Sequence, residues 1–171
     1  QGPRVLQNDS TGDPVFSDVS FMSGMSQTDW SWSPLVADFD NDSYRDLIIT
    51  NGFPRDVSDH DFMAYRDVNQ GLISKLDLVK KIPQVKLHNY AFKNKGDLTF
   101  SDETADWGLD QPTYSNGIAY ADFNQDGAMD MVINNINDEA LLYKNTSREK
   151  DTTATHYLQI RFKGDKQNIN G

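Results

Sequence analysis

The sequence contains no cysteine, which excludes disulfides, thiolate zinc sites and cysteine nucleophiles while leaving the redox compartment open. Basic residues are also in short supply. Sixteen Lys plus Arg face twenty-six Asp plus Glu, for a formal charge of minus ten and a pI near 4.5. That sign is wrong for a phosphate backbone, which argues against nucleic acid as a partner. No apolar run approaches the ~18 residues of a membrane-spanning helix, and mean hydropathy is −0.68, so no membrane span is expected. Histidine occurs only as the scattered His60, His88 and His156, with no nucleophile motif beside them. The nucleophile-elbow and phosphate-loop patterns are missing too, so no catalytic residue is expected and the chain is not read as an enzyme. What is present is 171 residues and 19.4 kDa, enough for one domain, or a piece of a larger one, with a real core.

The chain repeats itself. Sliding it by 84 positions pairs Phe16-Ser17-Asp18 with Phe100-Ser101-Asp102, Ser31 with Ser115, and Ala37-Asp38-Phe39 with Ala121-Asp122-Phe123. The same offset puts Asp42 on Asp126, Asp46 on Asp130, Ile49 on Ile133 and Asn51 on Asn135. A shorter signature of an apolar residue, a long polar one and Asn recurs as Leu6-Gln7-Asn8, Phe92-Lys93-Asn94 and Tyr143-Lys144-Asn145. Fixed-offset self-similarity is the mark of a repeat architecture.

Short β-rich stretches at 33–37 and 47–50 flank an acidic loop, and 117–121 with 131–133 copy them as a second hairpin. Residues 90–93 and 98–101 form another pair around the Asn94-Lys95-Gly96-Asp97 turn signal. Between 55 and 82, Leu72, Ile73, Leu76, Val79 and Lys80 follow helical spacing, with Ser58 or Asp59 as a cap and Pro83 as a stop, so a helical insertion is expected. Leu158, Ile160 and Phe162 alternate with polar residues like a half-buried strand, after a polar connector at 145–155.

Two loops carry the chemistry. Asp38, Asp40, Asp42 and Asp46 occupy positions 1, 3, 5 and 9 of the first, and Asp122, Asn124, Asp126 and Asp130 those of the second. At position 7 the backbone carbonyls of Tyr44 and Ala128 offer a further oxygen. Carboxylates this close repel, and a hard divalent cation cancels that cost. An all-oxygen set without His or Cys disfavours zinc and copper, and its irregular geometry suits calcium better than magnesium. An EF-hand would need Glu at position 12, where Ile49 and Ile133 stand, and helical flanks in place of these β-rich ones. Two calcium ions in strand–loop–strand hairpins are therefore expected. Gly127 suits the tight turn at position 6; Ser43 in the first loop must strain it or shift it.

The Ala-Asp-Phe-Asp/Asn loop, the apolar strand after it, the Tyr/Phe-Lys-Asn element and Gly96-Asp97-Leu98-Thr99-Phe100-Ser101-Asp102 together resemble the FG-GAP/VCBS repeats of integrin-α-like β-propellers. Tyr157-Leu158-Gln159-Ile160 and Lys163-Gly164 with Asn168 and Asn170-Gly171 are similar to the opening of an ASPIC/UnbV domain. The resemblance implies a mainly β fold of about two propeller blades, a fragment of a larger propeller, with calcium in the hairpin loops. It divides the chain into the end of a preceding blade at 1–32, a blade at 33–104 with its helical insertion at 55–82, a next blade at 105–145, and a linker with the first strand of the ASPIC/UnbV-like domain at 146–171. It also implies that Asp38, Asp40, Asp42, Tyr44 and Asp46 bind one ion and Asp122, Asn124, Asp126, Ala128 and Asp130 the other.

The function expected from this is a calcium-stabilised extracellular, cell-surface or periplasmic module that binds or adheres to a protein or glycan. Extracellular calcium modules bind in the range of about 10⁻⁴ to 10⁻³ M, within reach of calcium outside the cell. Trp30, Trp32 and Trp107 with Tyr114 are candidates for a sugar-stacking platform or for packing between sheets. The alternatives are a segment of a carbohydrate-active enzyme and a structural spacer for the C-terminal domain. Open sheet edges favour association, and the sequence assigns no oligomeric state.

Overall fold

In the computed structural model, residues 4–8, 14–150, 157–160 and 164 are described. The described strands are β1 (Arg4–Asn8), β2 (Pro14–Asp18), β3 (Ser31–Ala37), β4 (Asp46–Asn51), β5 (Tyr90–Asn94), β6 (Phe100–Asp102), β7 (Ser115–Ala121), β8 (Asp130–Asn135) and β9 (Leu141–Tyr143). They pair antiparallel in three sheets: β1-β2, the four-stranded β3-β4-β5-β6 and the three-stranded β7-β8-β9. The fold is mainly β, and the described residues form no closed propeller.

The 84-residue offset is kept to the residue. Ala37 lies opposite Asp46 and Ala121 opposite Asp130, and both hairpins shift register near their far end, at Ser31/Pro34 and Ser115/Gly117. Because side chains alternate across a strand, each sheet turns one row inward. Leu35, Ala37, Ile48 and Ala91 from the four-stranded sheet meet Ile118, Met131, Ile133 and Leu141 from the three-stranded one. Phe39, Leu109 and Trp107 complete this core, with Ile48, Ala91, Leu109 and Ile133 fully buried. The opposite rows stay open: Trp32, Val36 and Leu142 are exposed.

Four short helices occur among the described residues: α1 (Ser20–Ser23), α2 (His60–Val68), α3 (Lys75–Lys80) and α4 (Ser147–Lys150). The helical insertion expected at 55–82 is split into α2 and α3. Asp59 caps α2 by accepting from the Phe62 amide at 2.7 Å, whereas Ser74 starts α3 afresh by accepting from the Asp77 amide at 3.2 Å. Between them Gly71 takes φ +85°, which a continuing helix does not allow, and Leu72 is exposed. The bridge Phe53↔Val85 joins the two ends of this excursion to each other, and Leu87↔Thr113 ties its end to the segment before β7.

Two further sequence expectations shift. Leu98, placed in a strand by its apolarity, sits in the turn at φ +71°, and β6 begins only at Phe100. The turn takes it because Asp97 accepts from the Thr99 amide at 3.0 Å and the Lys95 amide donates to the Thr99 carbonyl at 3.0 Å. Residues 157–160 pair with no strand among the described residues, and Leu158 and Ile160 are exposed. Phe162, His156 and the remainder of the stretch resembling an ASPIC/UnbV opening lie outside the described residues, Gly164 excepted.

Ile48 has no exposed surface and Leu142 is 70% exposed, so the two truncations should separate cleanly. Ile48→Ala is expected to cost roughly 2–5 kcal/mol through lost burial and an unfilled cavity. Leu142→Ala should stay within about 0.5 kcal/mol. Urea denaturation of both variants is the check, and equal losses would place the core elsewhere.

Candidate metal centre

Each acidic loop joins the end of one strand to the start of the next, β3 to β4 and β7 to β8. The chain reverses there by putting two residues per loop in the left-handed region: Asn41 (φ +58°) and Ser43 (φ +77°), matched by Gln125 (φ +60°) and Gly127 (φ +88°). Backbone N–H groups thereby turn inward onto the acidic side chains. In the first loop Asp38 Oδ1 accepts from the Asp42 amide at 3.0 Å and Oδ2 from Ser43 at 2.9 Å. Asp40 Oδ1 accepts from Asp42 at 3.3 Å, and Asp42 Oδ1 from Tyr44 at 2.9 Å. Every one of these recurs 84 residues later. Asp122 accepts from Asp126 at 3.0 Å and Gly127 at 2.9 Å, Asn124 Oδ1 from Asp126 at 3.1 Å, and Asp126 from Ala128 at 2.9 Å.

Beneath each loop a buried carboxylate binds it to the sheet. Asp46 Oδ2 accepts from the Phe39 amide at 3.0 Å and Oδ1 from Asn94 at 2.9 Å. Asp130 does the same with Phe123 at 3.0 Å and Asn145 at 2.8 Å. This gives the recurring apolar–polar–Asn signature its role, which sequence reasoning saw without assigning. Its Asn supplies the third strand's amide to the carboxylate, and its Nδ2 donates to the carbonyl of Arg45 or Met129 at 3.0 and 3.2 Å. Asn145 Nδ2 also reaches across to the Phe39 carbonyl at 2.6 Å, and Asn41 Nδ2 donates to the Gly127 carbonyl at 3.1 Å. The two loops are thus bonded to each other.

The donor chemistry fits a hard cation. One carboxylate oxygen from each of Asp38, Asp40 and Asp42 falls within 4.8 Å of the others, the one such cluster among the described residues. Asp46 lies below them with each oxygen already holding one N–H, and a carboxylate oxygen has a second lone pair to give. In the second loop Asn124 replaces one charge, and its Nδ2 donates to Asp126 Oδ2 at 2.7 Å. Tyr44 is half exposed, its ring packed against Gly96, while Ala128 is fully buried.

Burial pushes the Asp46 carboxyl up to about 6, against the lowering effect of its two backbone hydrogen bonds. Asp38 is raised for the same first reason, with Asp40 and Asp42 adding repulsion. A carboxyl raised above its unfolded value binds more protons in the folded state. Its contribution to metal-free stability therefore falls as pH rises from the ordinary carboxyl value near 3.8 towards about 6. A cation beside it would supply the missing counter-charge.

One cation is already on hand in the first loop. Lys93 Nζ bonds Asp40 and lies 3.3 Å from Asp42. Its counterpart in the signature, Lys144, bonds Glu149 instead. The other sequence candidates do not converge here. Trp107 packs edge-on to Phe39 at 6.2 Å in the core, whereas Trp30 and Trp32 gather around Phe53, and Tyr114 lies under Lys86. His88 packs against Tyr90 and His60 begins α2.

No family model matches the chain. It is 46% identical over 56 residues to human cartilage acidic protein 1, a match covering 32% of this chain and 8% of that protein. The mouse protein of the same name is 45% identical over 56 residues (32% and 9%), and that of Xenopus tropicalis 46% over 50 residues (29% and 8%). The matched part therefore spans less than a tenth of the length of these relatives.

Three substitutions probe the loops. Ser43→Gly relieves a left-handed residue and should stabilise the protein by a few tenths to about 1 kcal/mol, glycine's extra unfolded-state freedom offsetting part of the gain. Thermal denaturation reads it, and a loss would show that the Ser43 side chain is needed. Lys93→Met frees Asp40 and Asp42, so calcium should bind the first loop severalfold more tightly by titration calorimetry, while Lys144→Met changes little. Weaker binding after Lys93→Met would mean that the ammonium shapes the loop and does not compete.

Proposed function

We propose that the chain is a pair of propeller-type blades, each closed at its acidic loop by calcium, serving as an extracellular binding or adhesion module for a protein or glycan. The observation that carries this is the loop network copied bond for bond at an interval of 84 residues. A chance acidic turn has no reason to reproduce four inward-facing amides and a buried carboxylate. Ligands on this reading are Asp38, Asp40, Asp42, the Tyr44 carbonyl and Asp46, then Asp122, Asn124, Asp126, the Ala128 carbonyl and Asp130.

Two ions would bring the formal charge from minus ten to minus six. Each bound ion stabilises the native state by RT ln(1 + [L]/Kd), roughly 1.4 kcal/mol at ten times Kd. Apolar side chains left open on the outer faces, with Val36 on one and Leu142 on the other, suit further sheets stacked on both sides. An outside address is supported by the similarity to a protein named for cartilage.

Titrating calcium into chelator-treated protein is expected to release heat from two sites and, at ten times Kd, to raise Tm by roughly 6–11 °C, about 2.8 kcal/mol from the two sites at about 2–4 °C per kcal/mol for a chain of this size. Asp38→Asn should remove the first site and Asp122→Asn the second, with magnesium a poor substitute. Calcium that altered neither heat nor melting would sink the proposal.

A further inference from the structure

At the end of the strands opposite the acidic loops, Trp30, Trp32 and Phe53 form a continuous aromatic surface. Trp30 stacks on Phe53 with centroids 5.0 Å apart and planes 24° apart, and Trp32 lies 6.0 Å from the same ring at 33°. Trp32 is held by its indole N–H, which donates to the Gly52 carbonyl at 2.6 Å. Trp30 remains 38% exposed and Trp32 49%, so the core does not consume these rings as it does Trp107.

Trp30 and Asp29 stand between two clefts. One, of about 260 Å³, is lined by Phe53, Asp56, Ser58, Val85 and Leu87; the other, wider and of about 600 Å³, runs along Thr28, Trp32 and Pro34. Two carboxylates face this region, each half satisfied. Asp29 Oδ2 accepts from Tyr90 Oη at 3.2 Å and Asn51 Nδ2 at 3.5 Å, and Asp56 Oδ1 accepts from the Ser58 amide at 2.9 Å and hydroxyl at 2.6 Å. Asp29 Oδ1 and Asp56 Oδ2 have no partner among the described residues. No Lys or Arg lines either cleft.

We infer that this surface binds a neutral carbohydrate, one pyranose ring lying on the outward face of Trp30, whose other face is stacked on Phe53, with its hydroxyls donating to Asp29 and Asp56. The chemistry selects the class. Flat, exposed rings suit the apolar C–H face of a sugar. Carboxylates without counter-ions accept from hydroxyls and repel anions, which excludes sulphated and uronic glycans. A quaternary ammonium would also welcome aromatic rings and acids, but it needs ring faces converging around one point. Here Trp30 and Phe53 are stacked on each other, which leaves an outer ring face for one flat ligand and no converging cage. The inference names the ligand class left open in the proposed module and rests on that binding reading. Its site is at the far end of the strands from the calcium loops, so the two can fail separately.

The test is a tryptophan-fluorescence and calorimetric titration of the full chain, in calcium, with cellohexaose, xylohexaose, mannohexaose and laminarihexaose. Polygalacturonate, chondroitin sulphate and tetramethylammonium serve as contrasts. Saturable binding of at least one neutral oligosaccharide is expected, weakened about tenfold or more by Trp30→Ala, restored in large part by Trp30→Phe, and unaffected by Trp107→Phe. Asp56→Asn, which keeps size and fold, should weaken it severalfold and carries the test should Trp30→Ala unfold. The inference is overturned if no neutral sugar binds, if binding ignores Trp30 and Asp56, or if tetramethylammonium or the anionic glycans bind in its place. Sugar binding with no calcium heat would leave the cleft standing and remove the metal; calcium heat with no sugar binding would do the reverse.

Discussion

A buried carboxylate at the first residue of the second strand organises each half of this protein. Asp46 and Asp130 take one amide from the loop above and one from the third strand beside them, so a single side chain sets loop, hairpin and meander together. Burying a carboxylate is costly unless its oxygens are paired, and two backbone N–H groups offset much of that cost. The rest of the acidic loop follows from it. Once Phe39 and Phe123 are pinned, the chain must reverse within a few residues, and the left-handed steps at 41 and 43 or 125 and 127 turn the intervening amides inward.

The halves are not independent. Asn145 secures Asp130 in its own sheet and also donates to the Phe39 carbonyl in the other loop, while Asn41 returns a bond to Gly127. Together with the shared core of Ile48, Ala91, Met131 and Ile133, this fixes how one sheet lies on the other. Charge is handled differently on the two sides, by Lys93 in the first loop and by Asn124 replacing a carboxylate in the second. Identical backbone networks therefore carry unequal electrostatics.

Much of this was legible because repetition is a sequence property. The 84-residue offset named both hairpins and the loop positions without any knowledge of packing, and the short β-rich stretches at 33–37 and 117–121 named the strands. What was illegible depended on contacts across the fold. Nothing local tells that Lys93 bonds the carboxylates of the first loop, whereas Lys144 bonds Glu149 on α4 and acts on Asp126 and Asp130 only through its charge. Nor does composition separate Trp107, packed against Phe39, from Trp30 and Trp32, left at the surface around Phe53. The helical insertion was visible in outline, but its spacing overran the Asn69–Ser74 break that Gly71 and the Ser74 cap impose.

The two ends of the sheets are under different constraints, and this explains where the sequence has varied. The β4–β5 connection spans residues 52–89 and its counterpart between β8 and β9 only 136–140, yet the flanking strands keep the same register. Loop-closure entropy grows only with the logarithm of length, so going from five linking residues to thirty-eight costs about 2 kcal/mol. The Phe53↔Val85 bridge reduces even that, by closing the excursion close to its base. At the opposite end no such freedom exists, because each residue from 38 to 46 either donates an inward amide, accepts one or makes the turn that allows it. The end that can lengthen at small cost is also the end that carries Asp29, Trp30, Phe53 and Asp56. A scaffold closed at its acidic end is thereby free to present new side chains at the other.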